Sequence, residues 1–143
     1  MAEGLFLHSY NENSKRFAIL DEQGDVAFLY LSEIGKQRPE RDSVAYMLTE
    51  PQKGIDWQLL ANEGLPPQIS KELASKSAVI SLTKESDLSF HWSNDGHAVA
   101  LLYKKDPITF VTINDKLGYS KAVIKDIGLA NAWNQAKYES IFK

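Results

Sequence analysis

The sequence predicts an α+β fold: a mainly antiparallel sheet of hairpins and a meander, with a C-terminal helix packed on it. Three observations support this prediction. Two pairs of apolar runs flank short turn sequences, a further run alternates between apolar and polar residues, and the end of the chain has apolar residues at helical spacing. With 143 residues, of which 43% are apolar and 24% charged, the chain can bury one core. No repeat or linker divides it, so a single domain over residues 1–143 is expected.

Two hairpins are the clearest local predictions. Their apolar runs are residues 17–20 and 26–31 in the first hairpin and residues 88–92 and 97–103 in the second. In the first, Gly24 lies in the turn and supplies the positive φ that a tight loop needs. In the second, the turn Ser-Asn-Asp-Gly ends in Asp95 and Gly96, a dipeptide that is typical of hairpin loops.

The remaining strands are predicted from shorter patterns. Residues 108–113 alternate in face and should extend the second hairpin into a meander, after a turn over residues 104–107. That turn contains Pro107, which cannot donate to a central ladder. Residues 119–124 are compatible with a fourth strand.

The segment between the two hairpins gives weaker indications. Residues 33–42 are charged and contain one glycine and one proline, which is typical of an exposed loop. Residues 43–49 alternate as a strand does, and residues 56–61 are compatible with a strand or a helix. The two prolines that open residues 66–73, with apolar residues four apart behind them, predict a short helix.

A C-terminal helix is expected from about residue 129 to residue 142, with Asp126 as its N-cap. The face expected to pack on the sheet consists of Leu129, Ala132, Trp133, Ala136 and Ser140. Tyr138 and Phe142 then fall on the opposite side and form a small second apolar stripe. This stripe is either a frayed tail or a contact surface.

The composition excludes several classes of function. Without cysteine the chain has no disulfide, thiolate zinc site, iron–sulfur cluster or thiol nucleophile. The net charge is −3, and the strongest basic cluster is only Lys104 and Lys105, so nucleic-acid binding is not expected. Residues 1–10 lack the basic and apolar regions of an export signal, and no apolar run is long enough to span a bilayer. A cytoplasmic protein without membrane association is therefore expected.

The standard catalytic motifs, which include phosphate-binding loops and nucleophile elbows, do not occur, so no catalytic residue, metal ligand or cofactor is predicted. His91 and His97 flank the second turn, and their relation depends on its length. A two-residue loop would place them on opposite faces, whereas a three-residue loop would place both on one face, about 7–8 Å apart. Two imidazoles are fewer than the three protein ligands that a catalytic zinc site usually has, although Asp95 could supply a carboxylate from the turn. The expected outcome is a turn aspartate beside two ordinary strand histidines.

Aromatic residues supply the candidates for a protein-binding surface, because aromatic anchors dominate such surfaces. Trp57 lies in an ambiguous segment between two glycines and is the best surface candidate, whereas Trp92 and Trp133 are expected in the core. The full set of predicted binding residues is Trp57, Asp95, His97, Asp115, Tyr119, Tyr138 and Phe142.

The Glu/Asp/Gly turn within residues 17–31, the segment Trp-Ser-Asn-Asp-Gly and the later Gly-Tyr-Ser within residues 91–120 resemble a family of small, uncharacterised bacterial proteins. That family pairs two such hairpins with a later Gly-Tyr and has no assigned activity. The resemblance therefore implies only a small bacterial α+β protein and names no site residue. By analogy with proteins of this size, an interaction partner such as an immunity protein is one role that fits.

Three functions remain open. The leading hypothesis is a non-enzymatic protein-binding module of immunity or regulatory type, based on the mild acidity and the spare aromatic residues. The first alternative is a small-molecule-binding protein or hydrolase with a pocket at the 93–97 turn, near Asn114, Asp115 and Tyr119. The second alternative is a structural homo-oligomer that pairs through an open sheet edge or through Tyr138 and Phe142.

Overall fold

The computed structural model of the protein describes residues 4–80 and 84–142. Its strands are β1 (Phe6–Asn11), β2 (Arg16–Gln23), β3 (Val26–Ser32), β4 (Pro39–Met47), β5 (Leu88–Trp92), β6 (Ala98–Tyr103), β7 (Asp106–Thr112), β8 (Tyr119–Ser120) and β9 (Asn131–Ala132). Its helices are α1 (Trp57–Asn62), a 3₁₀ turn (Glu85–Asp87) and α2 (Gln135–Ile141). The predicted α+β class is confirmed.

Two sheets make up the fold. The first is antiparallel with the order β1-β2-β3-β4, and the second has the order β5-β6-β7-β8-β9, in which β8 and β9 pair in parallel. Apolar side chains from both sheets, such as Leu20, Leu29, Val99 and Val111, belong to one buried cluster. Burial of this shared cluster is the main force that holds the sheets against each other.

Strand β1 was not predicted, because apolar and polar residues do not alternate in its sequence, although burial alternates along it. It pairs with β2, so that Tyr10 lies opposite Phe17. Leu5 and Leu7 pack against the shared core, whereas Phe6 and Tyr10 are exposed on the outer face. A half-buried edge strand with this pattern is what period-two alternation produces.

The first hairpin is confirmed, with a two-residue turn. Gln23 pairs with Val26, and Gly24 has a φ of 64° as expected. The neighbouring β3–β4 pair contains a bulge next to Ser32 that leaves Glu40 without a partner across the ladder. A bulge re-aims the side chain of the extra residue, and the Glu40 carboxylate reaches β2.

The second hairpin is also confirmed, in the register of the two-residue alternative, but its loop has neither of the two predicted lengths. Trp92 pairs with Val99, and the Ser93 N–H donates to the Ala98 carbonyl at 3.0 Å, so the loop has four residues, 94–97. The Gly96 N–H donates to the Ser93 carbonyl and closes a turn inside this loop. His97 therefore belongs to the loop and not to the strand.

The meander is confirmed, with a tighter turn than expected. The turn consists of Lys104 and Lys105, both at positive φ (50° and 71°), and β7 begins already at Asp106. Two consecutive positive φ values are the signature of the hairpin turn that glycine and asparagine favour. Pro107 sits in β7 beside a bulge, where its missing N–H does not interrupt a regular ladder.

Several predicted boundaries between these elements are wrong. Strand β4 begins at Pro39, inside the predicted loop, because it pairs with β3 along most of its length. The ambiguous segment is helical, since Asp56 caps α1 by accepting from the amides of Gln58 and Leu59. The helix predicted over 66–73 is a single turn that ends at Ala74, and the strand predicted over 119–124 ends at Ser120.

The C-terminal helix begins six residues later than predicted. Its N-cap is Asn134, whose side chain accepts from the Lys137 N–H, whereas Asp126 accepts from the Ala132 N–H and caps no helix. The residues before the cap pair with β8 as strand β9, because the Asn131 N–H donates to the Gly118 carbonyl. Sheet pairing thus overrides the helical spacing of the apolar residues.

The packing face of this helix is the reverse of the prediction. Phe142 is only 7% exposed, and Tyr138 is half-buried in the same cluster. Both rings lie against Phe110 of β7, at centroid distances of 5.6 Å and 5.8 Å. The predicted sheet-facing residues Ala136 and Ser140 are exposed. Leu129 and Ala132 precede the helix, and the Tyr138–Phe142 side that was expected to be spare is the one that packs on the sheet. Among the described residues, no helix has the length and hydropathy needed to cross a membrane.

Candidate functional site

The loop of residues 94–97 forms one wall of an open cleft with a volume of about 450 Å³. The other walls come from residues 112–114 after β7 and from Ser140 and Ile141 of α2. A pocket at this turn was predicted as the first alternative, with Asn114, Asp115 and Tyr119 beside it. The structure places a cleft there that Asn114 lines, whereas Asp115 and Tyr119 do not.

Asp95 organises the loop itself. Its Oδ1 accepts hydrogen bonds from the Ser93 hydroxyl at 2.8 Å and from the His97 N–H at 2.9 Å. The backbone hydrogen bond from His97, followed by that from Ser93, lowers the pKa of the Asp95 carboxyl. Asp95 is therefore an anionic, exposed turn residue in the wall of the cleft.

His97 is held by a buried cation. The Arg16 Nε donates to His97 Nδ1 at 2.9 Å, and its Nη1 donates to the Ser32 carbonyl and to Glu40 Oε1, both at 2.8 Å. Arg16 is only 4% exposed. Because Nδ1 accepts a hydrogen bond, the proton of the neutral imidazole lies on Nε2. The interaction therefore fixes both the orientation and the tautomer of a ring that lines the cleft.

Arg16 was missed by the sequence analysis, although one pattern could have found it. It alternates in phase with Ala18 and Leu20, whose side chains point into the core. A charged residue at an inward position of a strand must be paired to be tolerated. Its partner His97 lies 81 positions away in the chain, and that pairing has no local signature.

The two histidines of the second hairpin do not share a site. His91 lies on the other side of β5 and contacts the ring of Phe142 at a centroid distance of 5.4 Å. Within residues 4–80 and 84–142, no three side chains of the types that bind metals are grouped closely enough to hold an ion. Asp95 is a turn residue and His91 a strand residue, as expected, whereas His97 is a loop residue held by Arg16.

Four of the predicted binding residues instead secure α2 to the second sheet. Asp115 forms an ion pair with Lys137 at 2.5 Å and accepts from the Tyr119 hydroxyl at 3.0 Å. The hydrogen bond to Asp115 is the main reason that the pKa of Lys137 is raised. The Tyr119 ring stacks on Phe110 at 4.9 Å, and Tyr138 and Phe142 complete the same aromatic cluster. These side chains have structural partners that explain their positions.

Trp57 remains partly accessible. It is 37% exposed, and its Nε1 donates to the Gln68 carbonyl at 2.8 Å. The ring also lies against Gly128, where an added Cβ would approach it to 2.9 Å. Trp57 therefore pins the 57–68 segment to the rest of the chain and offers one face of its ring to solvent.

A surface that was not predicted lies along β1. Phe6 is 59% exposed and Tyr10 44% exposed, and with His8 they form the outer side of the strand. A groove of about 270 Å³ runs between them and β2, lined by Phe6, His8, Phe17, Ile19 and Gln37. Large aromatic side chains that stay exposed next to a groove are typical of a binding surface.

The backbone of β1 is open on its outer edge. The Glu22 N–H donates to the Leu5 carbonyl at 2.9 Å, which makes these residues a hydrogen-bonded pair of the antiparallel ladder. Such pairs alternate along a strand, so Phe6, His8 and Tyr10 direct their N–H and C=O groups away from β2. Within the described part of the chain, no backbone group bonds to the outward groups of these three residues.

The opposite edge of the same sheet is covered. The amides of Val44 and Met47 on β4 donate to the carbonyls of Leu129 and Ala78, and the Gly118 amide donates to the Asp42 carbonyl. Later segments of the chain therefore satisfy the outer groups of β4. The contrast identifies β1 as the edge of this sheet at which backbone groups remain available.

Two surfaces thus remain as candidate binding sites, the cleft beside residues 94–97 and the edge of β1. No family model matches the chain, and no curated protein or solved structure matches it either. The two surfaces differ in chemistry. The cleft presents polar side chains around an oriented imidazole, and the edge presents backbone hydrogen-bonding groups flanked by aromatic rings.

Proposed function

We propose that this chain is a protein-binding module, of immunity or regulatory type, that recognises its partner through β1. The observation that carries the proposal is the open and unprotected edge of that strand. Natural sheets usually protect an edge with charged residues, proline or a bulge. The six residues Phe6–Asn11 contain no Asp, Glu, Lys, Arg or Pro, and their pairing with β2 is regular throughout.

The mode of binding follows from this geometry. An extended segment of the partner adds a strand next to β1 and bonds to the outward groups of Phe6, His8 and Tyr10. Such backbone bonds give affinity with little dependence on sequence, whereas side-chain pockets give specificity. The groove beside Phe6 and Phe17 would take an apolar side chain from the added strand. The exposed rings of Phe6 and Tyr10 supply the aromatic anchors that dominate most interfaces.

The proposal is tested by isolating the partner with the tagged protein and then measuring binding with both purified components. The Phe6→Ala, Tyr10→Ala double variant should lose at least about ten-fold in affinity, as expected when two anchors are removed. Ile124→Ala is the matched control, because Ile124 is equally exposed, at 60%, but lies outside β1. If the double variant still binds the partner and Trp57→Ala does not, the partner binds at the Trp57 surface and the proposal is wrong.

A second candidate function is favoured by the Arg16–His97 contact. A buried cation that orients an imidazole at the wall of a cleft exceeds what a hairpin loop needs for its own stability. This arrangement suits a small polar molecule that accepts a hydrogen bond from His97 Nε2 and meets the Asn114 side chain. A thermal-shift screen of small polar metabolites tests it: a compound that raises the melting temperature of the wild type, but not of Asn114→Ala, would support a cleft ligand.

A further inference from the structure

We propose that the strand which pairs with the open edge of β1 is the β1 strand of a second copy of this chain, related by a two-fold axis through His8. The inference rests on the proposed function, because the same strand is the binding surface, and it adds the identity of the partner. A two-fold interface requires a surface that is complementary to itself. Strand β1 meets this requirement in its backbone, in its side chains and in its charge.

The backbone selects the register. The outward residues Phe6, His8 and Tyr10 occupy alternate positions. An antiparallel copy with His8 opposite His8 therefore places Phe6 opposite Tyr10 and Tyr10 opposite Phe6. Each of these pairs exchanges two N–H···O=C bonds, as hydrogen-bonded pairs of an antiparallel ladder do. A shift of two residues in either direction would leave one outward residue of each strand without a partner in β1, so the symmetric register uses the edge completely.

The side chains fit the same register. Phe6 and Tyr10 lie on the same outer face as His8 and are the most exposed rings of this sheet. In the symmetric pairing each phenyl ring lies beside a phenol ring of the other copy, and aromatic pairs are among the favourable cross-strand pairs. The pairing would cover rings that the isolated chain leaves in water, which is the main hydrophobic gain of association.

The charges of the strand allow the pairing. Phe6–Asn11 carries no Lys, Arg, Asp or Glu, so none of these charged side chains meet across the axis. The nearest carboxylate on the same face is Asp21 of β2, which lies opposite Phe6 and accepts from the Gln23 side chain at 3.2 Å. The two-fold axis keeps Asp21 of each copy one strand away from the junction.

The area buried between the two β1 strands determines the affinity that we expect for the dimer. A strand of this length extends about 20 Å, and a contact limited to one strand from each copy buries less than the roughly 800 Å² per partner of a standard interface. We therefore expect a reversible dimer with a dissociation constant in the micromolar range. The monomer and the dimer should both be present over an accessible range of protein concentration.

Sedimentation equilibrium of the full chain, at protein concentrations below and above the micromolar range, measures the dissociation constant of the dimer. His8→Pro removes the outward N–H at the axis and leaves the hydrogen bonds between β1 and β2 intact. We expect it to weaken dimerisation at least about ten-fold while the melting temperature stays within a few degrees of the wild-type value. Ile124→Ala, which alters an exposed residue elsewhere, should dimerise as the wild type does.

A charge-swap pair tests the axis directly. In the proposed register position 8 faces itself, so His8→Lys and His8→Glu should each be largely monomeric at concentrations where the wild type is dimeric. An equimolar mixture of the two variants should dimerise at least as well as the wild type, because each mixed pair brings opposite charges together. Dimers that persist in both variants alone, or fail to form in the mixture, would overturn the register.

The test separates this inference from the proposed function. A wild-type chain that remains monomeric into the millimolar range would overturn the second-copy inference. Suppose that the wild type is monomeric and that His8→Pro no longer binds the partner isolated with the tagged protein, whereas Ile124→Ala binds it. Strand β1 then binds a different protein, and the proposed function stands. If the chain is monomeric and partner binding is unaffected by His8→Pro, both proposals are wrong.

Discussion

Replacing His97 by alanine should destabilise the protein through Arg16 and not through the loop. The guanidinium of Arg16 is buried, and the substitution removes the acceptor of its Nε–H while the bonds to Ser32 and Glu40 remain. Hydrogen bonds to charged groups contribute about 1.5–3 kcal/mol. His97 is half-buried, so water can replace part of the lost bond. We therefore expect a loss of about 1–2 kcal/mol in the free energy of unfolding.

The matched controls are His97→Asn and His97→Gln. The asparagine carbonyl oxygen can occupy the place of Nδ1 and accept from Arg16 Nε, whereas the longer glutamine carries its oxygen near the place of Nε2. Urea unfolding at unchanged slope should therefore rank the wild type and His97→Asn above His97→Gln and His97→Ala. The corresponding fall in melting temperature is about 3–8 °C. If all three variants unfold within about 0.5 kcal/mol of the wild type, the Arg16–His97 bond does not stabilise the fold and the reasoning fails.

Three further predictions concern other contacts. Tyr46→Phe should cost about 1–2 kcal/mol in urea unfolding, because the buried Tyr46 hydroxyl donates to the Glu22 carboxylate at 2.5 Å. Asp95→Asn should be less stable than the wild type at pH 7, because folding lowers the pKa of Asp95. The contribution of the carboxylate is complete above about pH 4 and is lost as the pH falls through the lowered pKa of the folded state, so the difference should disappear in acid. Lys104→Asn with Lys105→Gly should raise the free energy of unfolding by about 1 kcal/mol, because both residues have positive φ; an unchanged melting temperature would contradict this.

The parts of the fold that sequence predicts are those fixed by local chemistry. Gly24 and the Asp95–Gly96 dipeptide mark their hairpins because a positive φ or a side-chain bond to a nearby amide is needed at the turn itself. The second hairpin has the register of the two-residue alternative, since Trp92 pairs with Val99 and Ser93 bonds to Ala98. Its loop is longer because the ladder ends there, and the His97 N–H bonds to the Asp95 side chain.

The C-terminal segment shows why helical spacing alone is insufficient. Leu129 and Ala132 have the spacing of a helix face, yet backbone bonds to Gly118 and packing against the other chain segments hold this stretch extended. The helix can begin only after these bonds end, at the Asn134 cap. Competing tertiary hydrogen bonds decide the boundary, and they come from residues that are distant in the sequence.

The candidate sites also combine features set by local sequence with features set by contacts between distant residues. The role of Asp95 in its turn is local and was expected, whereas the contact between Arg16 and His97 joins two sheets and has no local pattern. Strand β1 was missed because its sequence has no apolar–polar alternation, and only its burial alternates. Its importance as an open edge could not be recognised either, because that depends on which segments cover β4 and leave β1 free.

Strand β1 is also held in place before any partner binds. The Leu5 N–H donates to the Glu22 carboxylate at 2.9 Å, and the Ser9 hydroxyl accepts from the Trp92 Nε1 at 3.0 Å. At the far end of the strand, Gly96 of the cleft loop packs so closely on Asn11 that an added Cβ would approach its side chain to 2.8 Å. An edge that is already extended and fixed at three points loses little conformational entropy when another strand is added. The same contact places the cleft loop against the end of β1, so the two candidate surfaces adjoin each other at Asn11.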